Sequence, residues 1–199
     1  MRLTRLLSLT VMVAALALGL AACGGDDGGE EEDQISEAIE TSVLTTDPAD
    51  CTRLQTQRFV EQVNFSTGEE AIADCEEDVA DTSNDPDEVE VSEIEVDGDA
   101  ATADVTFTGG VFDGSTLTVA LVKEDDQWKL DEITDIPTLD LESFQESFTS
   151  QLESEGEIPP QVSECIADEI NSASGEQVKS SILGGTEQDL VALFEACIS

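Results

Sequence analysis

Apolar residues recur along the chain with two different periods, and the change of period divides it. Ile35, Ile39 and Val43 stand at i, i+4 and i+8, the spacing of one helix face. Asp47-Pro48 then offers an N-cap with proline in the first turn. A second helix is expected from there to about Val63, with Leu54, Phe59, Val60 and Val63 inward. Ser66-Thr67-Gly68-Glu69 reads as a capping box opening a third helix, which carries Ile72, Cys75 and Val79 inward. From about Glu88 the period becomes two. Val89 and Val91 are followed by Ile94 and Val96, a parity switch that predicts a β-bulge near Ser92 or Glu93. Asp97-Gly98-Asp99 is a hairpin turn, after which Ala101, Ala103, Val105 and Phe107 oppose Thr102, Asp104, Thr106 and Thr108. Gly109-Gly110 and Asp113-Gly114 break that strand. Leu117, Val119 and Leu121 alternate in a third, and Glu124-Asp125-Asp126 turns the chain into a fourth carrying Trp128 and Leu130. The result is a four-stranded antiparallel meander whose apolar face helices must cover.

Beyond Ile136-Pro137 the helical period returns. Phe144, Phe148 and Leu152 form one stripe, Pro159-Pro160 interrupts it, and Val162, Ile166 and Ile170 form the next. Ser174-Gly175-Glu176-Gln177 caps a helix with Val178 and Ile182, Gly184-Gly185 stops it, and a last helix holds Leu190, Val191, Leu193 and Phe194. Helices this short need tertiary packing to persist. The fold class is therefore α+β: N-terminal helices on a curved antiparallel sheet, followed by a small helical subdomain.

The first residues carry a different signal. Arg2 and Arg5 precede an apolar run from Leu6 to Leu20, and small residues follow at Ala21 and Ala22 before Cys23. The run is shorter than the ~20 residues a spanning helix needs, and it ends in a cysteine rather than a basic stop. Leu20-Ala21-Ala22-Cys23 resembles the lipobox of bacterial lipoproteins. That resemblance implies diacylglycerol on the Cys23 thiol, acylation of the palmitate kind and cleavage before the cysteine. The chain is thus expected at the cell membrane, lipid-anchored on the extracytoplasmic face. Gly24 to Asp33 has no apolar residue and reads as a flexible, self-repelling tether. The expected organisation is a signal peptide over 1–22, a tether over 23–33, an α+β domain over 34–136 and a helical subdomain over 137–199.

Seven Lys and Arg stand against 47 Asp and Glu, a formal net charge of −40. Outside the leader only Arg53, Arg58, Lys123, Lys129 and Lys179 are cationic. A field of that sign repels nucleic acid and excludes it as a partner, while suiting a solvated surface in high salt. The four cysteines after Cys23 are even in number, which in an exported chain points to two disulfides. Three pairings are open. Cys51 with Cys75 and Cys165 with Cys197 are favoured, since each braces neighbouring helices and closes the shorter loop.

Helices with a cysteine pair, Val-x-Val, an Asp-Gly hairpin, a Thr-rich strand and Gln127-Trp128-Lys129-Leu130 together resemble the nuclear-transport-factor-2-like cone fold. That family includes ketosteroid isomerase and polyketide cyclases, and here the resemblance is to its exported actinobacterial lipoprotein form. It covers about Gln34 to Asp135 and implies a sheet wrapped over helices, with a pocket at the wide end of the cone. The family's enzymes place an acid-base Asp or His, often with Tyr, in that pocket, whereas this chain has no His and no Tyr.

Without histidine, Ser-His-Asp and Cys-His arrangements are impossible, and no cysteine forms a C-x-x-C. No catalytic set, metal site or cofactor is assigned. The candidate pocket acid is Asp104, an acid among threonines on a central strand; a carboxyl buried in an apolar pocket can act as a base. Asp81, Asn84, Asp85 and Asp87 offer oxygens to a hard cation but lack the glycine and distal glutamate of an EF-hand loop, so they read as an acidic linker. The expected function is a ligand-binding or interaction module without turnover, taking a small apolar ligand or an envelope protein. The alternatives are a carboxylate-base enzyme acting on a small apolar substrate and a structural envelope protein.

Overall fold

The computed structural model describes residues 27–80, 82, 85–155, 159–186 and 197, with side chains left out at 27, 28 and 151–155. The export segment, Cys23, Asp81, Asn84 and the helix expected around Leu190–Phe194 lie outside the described residues. A four-stranded antiparallel sheet in the order β1-β2-β3-β4 comprises β1 (Glu88–Asp97), β2 (Ala100–Thr108), β3 (Thr116–Glu124) and β4 (Gln127–Thr138). Four helices precede it: α1 (Asp27–Leu44), α2 (Asp50–Arg53), α3 (Gln57–Asn64) and α4 (Glu69–Asp78). Three follow: α5 (Leu141–Glu155), α6 (Pro160–Ser172) and α7 (Gly175–Gly184).

The sheet follows the alternation. Ala101, Ala103 and Val105 of β2 and Leu117, Val119 and Leu121 of β3 point inward, onto Ile35 and Ile39 of α1 and Phe59 of α3. The register of β1 on β2 shifts between Ser92 and Glu95, and Glu93 takes a positive φ of 49°. That bulge lets Val89 and Val91 and then Ile94 face the same core. Irregular pairing with β3 does the same for β4, keeping Leu130, Ile133 and Ile136 all buried. β4 continues through Pro137 to Thr138, because an edge strand needs no N–H there. Its turn from β3 is built on Asp125 and Asp126 at φ 51° and 62°, the left-handed pair a two-residue hairpin requires.

The helices depart from expectation in three places. α1 begins at Asp27, so Asp27–Asp33 is helical rather than tether. Carboxylates suit a helix N-terminus, and Glu31 there accepts a 2.8 Å bond from Lys123 on the sheet. The single helix expected to Val63 is two, because Gln55 pairs with Leu130 at the β4 edge: Leu130 N–H donates to Leu54 O at 2.9 Å and Thr56 N–H to Leu130 O at 2.8 Å. Thr56 then caps α3, its hydroxyl accepting from Phe59 N–H. No capping box forms at Ser66. Gly68 at φ 67° is the N-cap of α4, its N–H donating to Glu61 at 2.8 Å, while the Ser66 hydroxyl donates to Asp74.

Cys51 and Cys75 are disulfide-bonded with Cα atoms 6.1 Å apart, in a small core with Val60 and Ala71. Cys165 and Cys197 are bonded at 5.6 Å. The C-terminal helices have their own core of Phe144, Ile170, Ala173 and Val178, and the capping box at Ser174–Gln177 is fully formed. Phe112, Leu139 and Ile182 belong to both cores and join the subdomain to the sheet.

Candidate functional site

Asp104, the candidate pocket acid, lies on the outer face of the sheet, opposite the core. Ala103 and Val105 turn inward, so the residue between them must turn outward. Its carboxylate lies on the face away from the helices, level with Ser92 and Thr118 on the neighbouring strands, and accepts a 2.6 Å bond from the Thr118 hydroxyl. The inner face is filled by Ile35, Ile39, Trp128, Leu121 and Leu130, and the buried carboxylate among the described residues, Asp50 of α2, is held by Arg53 and the Thr45 hydroxyl. At the β3–β4 hairpin end, Lys123 lies 5.2 Å over the Trp128 ring and is held by Glu31. That hydrogen bond raises the Lys123 amine above its ordinary value. Of the acidic linker, Asp87 N–H donates to Thr108 O, and no metal-holding group of three His, Cys, Asp or Glu occurs among the described residues.

The free edge of β4 is where the molecule is most elaborately built. An edge strand exposes unpaired backbone, and here two glutamines cover it. Gln55 pairs through its backbone, and its side chain donates to the Ser42 hydroxyl at 3.0 Å. Gln62 of α3 uses its side chain alone: Nε2 donates to Ile133 O at 3.0 Å, and Oε1 accepts from Ile133 N–H at 2.7 Å. The remaining amide hydrogen faces Leu183 O of α7 at 3.5 Å. Periodicity had placed Val63 inward on α3; instead Val63 is 37% exposed and Gln62 is buried.

Two crevices flank this contact. One, of about 170 Å³, is lined by Arg58, Glu61, Gln62 and Glu132 with Leu183, Gly184 and Gly185. The other, of about 660 Å³, is lined by Asp135, Ile136 and Pro137 on the sheet and by Glu176, Lys179, Ser180, Leu183 and Gly184 on the subdomain. Arg58 pairs with Asp131 at 3.2 Å and with Glu132. Arg53, Lys123 and Lys129 are also in ion pairs, whereas Lys179 is in none among the described residues. The Glu61 carboxyl sits below its ordinary value, first because Gly68 N–H donates to it and then because Gln57 does. The larger crevice thus combines apolar surface at Pro137 and Leu183 with the Lys179 ammonium, the Ser180 hydroxyl and the carboxylates of Asp135 and Glu176. Sequence reading missed it, for its parts come from three distant segments and none is a motif.

No protein-family profile matches the chain, and no curated protein does. A solved structure it is similar to is an NTF-2-like protein of unknown function from Silicibacter pomeroyi, at a TM-score of 0.37 and 17% identity, covering 53% of this chain and 94% of that one. So loose a likeness defines no family, and the α+β assignment rests on the sheet and helices themselves.

Proposed function

We propose that this chain is a lipid-anchored, extracytoplasmic binding module that performs no chemistry on what it holds. Its site is the cleft between β4, α3 and α7. The observation that carries the reading is the pair of crevices sharing Leu183 and Gly184, with Lys179 placed to meet a polar group and Pro137 and Leu183 placed to meet an apolar body. A small, mainly apolar ligand with one polar end, or a protein segment of that character, suits such walls. The anchoring half rests on Leu20-Ala21-Ala22-Cys23 behind a basic and apolar leader. With Asp104 on the outer face, the carboxylate-base alternative loses the residue on which it rested.

Native mass spectrometry of protein extracted gently from its source tests the binding half. A stoichiometric bound compound, lost on Lys179→Ala and Leu183→Ala, is the expected result; a compound retained by both variants would put the site elsewhere. For the anchoring half, Cys23→Ala should abolish incorporation of labelled palmitate and release the protein from the membrane fraction.

A further inference from the structure

The two edges of the sheet are finished differently. On β4 the backbone of Leu130 is taken up by Leu54 and Thr56, and that of Ile133 by the Gln62 side chain. β1 forms the opposite edge and, among the described residues, pairs with β2 alone along its ten residues. An antiparallel edge strand turns every second residue's N–H and C=O away from its neighbour, so β1 presents a row of them outward. Val89 is its one buried residue; the other nine are exposed or half-buried.

The two faces of this edge differ in chemistry. On the outer face Glu88 and Glu90 stand level with Thr108 and Thr106, and past the bulge Glu95 stands level with Thr102. Arg53, Arg58, Lys123 and Lys129 are paired with carboxylates elsewhere, so none of these four neutralises β1. On the inner face the apolar cover is incomplete. Val91 is half-buried and Val96 is 37% exposed, although their partners Val105 and Ala101 on β2 are buried. A further strand would close that side, because residues opposite one another on paired strands bring their Cβ atoms within about 4.5–5.5 Å.

We infer that β1 is a docking edge for an extended segment of a partner protein in which Lys or Arg alternates with apolar residues. The segment adds as a fifth strand, its backbone meeting the outward N–H and C=O groups of β1. Its cations stand opposite Glu88, Glu90 and Glu95, and its apolar residues cover Val91 and Val96. A second copy of this chain is the wrong occupant, since pairing β1 with itself sets carboxylate against carboxylate, and like charges directly opposite destabilise a strand pair. The edge is separate from the cleft between β4 and α7, and neither reading rests on the other.

The straight part of β1, Glu88–Ser92, ends at the bulge, so a five-residue probe matches it. Hydrogen exchange of the full chain in uncharged detergent micelles, with and without acetyl-Lys-Val-Lys-Val-Lys-amide at about 1 mM, tests the inference. The peptide should slow exchange in β1 by about threefold or more and leave β3 unchanged. The same peptide N-methylated at every residue keeps the charges and lacks the donors, and it should give no protection. Glu88→Gln/Glu90→Gln removes two cross-strand charge pairs and should raise the peptide concentration needed by about fivefold. Exchange in β1 that ignores the peptide overturns the docking edge, as does equal protection by the N-methylated form. Protection that falls on β4 or the helices instead overturns it too, and β1 protection that grows with protein concentration in the absence of peptide would make a second copy the occupant.

Discussion

Replacing Gln62 isolates the contribution of one side chain to an entire sheet edge. Ile133 and Gln62 are 6% and 7% exposed, so Gln62→Ala strips the Ile133 N–H and C=O of partners in a nearly dry place. An orphaned buried backbone group costs about 1–3 kcal/mol, which puts two of them at roughly 2–6 kcal/mol. The adjoining crevice of about 170 Å³ is lined by Gln62 itself, so water reaches the vacated space and offsets part of that cost. The expected loss is about 2 kcal/mol, or a fall in Tm of about 4–8 °C for a chain of this size. Gln62→Glu sharpens the test. It keeps the shape and accepts from Ile133 N–H, but when ionised it cannot donate to Ile133 O, and it adds charge beside Glu61 and Glu132. Those neighbours raise its folded pKa above the unfolded one, so its deficit against the wild type should shrink as pH falls below about 5. Urea unfolding followed by the fluorescence of Trp128, the chain's one tryptophan and buried in the sheet core, reads both variants. A Gln62→Ala variant within about 0.5 kcal/mol of the wild type, or a Gln62→Glu deficit that ignores pH, would refute the argument.

Three further outcomes follow from other contacts. Cys51→Ala/Cys75→Ala opens a loop of sequence separation 24 and should cost about 3 kcal/mol in the same urea assay, with α4 the first element to lose exchange protection. The raised Lys123 pKa makes the Glu31 contact contribute fully below the amine's ordinary value and fade as pH rises through its folded one. The wild-type urea midpoint should therefore fall above about pH 10, in a window that no tyrosine shares, while Glu31→Gln shows a flatter profile there. Gly109→Ala should cost about 1–2 kcal/mol in thermal unfolding, since φ is +78° and the new Cβ would stand 2.8 Å from Asp87 Oδ2.

What the sequence made legible was local. The alternation in β2 and β3, the parity switch at Ser92–Glu93 and the Ser174–Gln177 box are written in neighbouring residues, and each has its expected form. What escaped depended on a partner far along the chain. The break at Gln55 exists because Leu130 arrives 75 residues later, and a helix periodicity cannot register an edge strand that captures its backbone. Gln62 went inward ahead of Val63 for the same reason: the unpaired Ile133 amide wanted a polar partner more than the core wanted a valine. Asp104 was correctly placed on the polar face of its strand, but which face of a sheet the helices cover is settled only when they dock. The acidic composition of Asp27–Asp33 hid a helix that one lysine on β3 helps to hold.

The early start of α1 also sets a distance. Three residues separate Cys23 from Asp27, a reach of about 14 Å at full extension, less than about two Debye lengths in physiological salt. On the proposed anchoring, the end of the molecule held near the bilayer is the one where α1 begins and the hairpins Gly98-Asp99 and Asp125-Asp126 turn. Glu30, Glu32, Asp97, Asp99, Asp125 and Asp126 all stand there, facing headgroups that on an anionic leaflet push them away. Strands of nine to twelve residues then carry the chain some 30 Å outward before the subdomain begins. On that anchoring the cleft between β4 and α7, lined by Asp135 and Pro137 near the end of β4 opposite its hairpin, would be borne away from the bilayer, where arriving molecules meet it first.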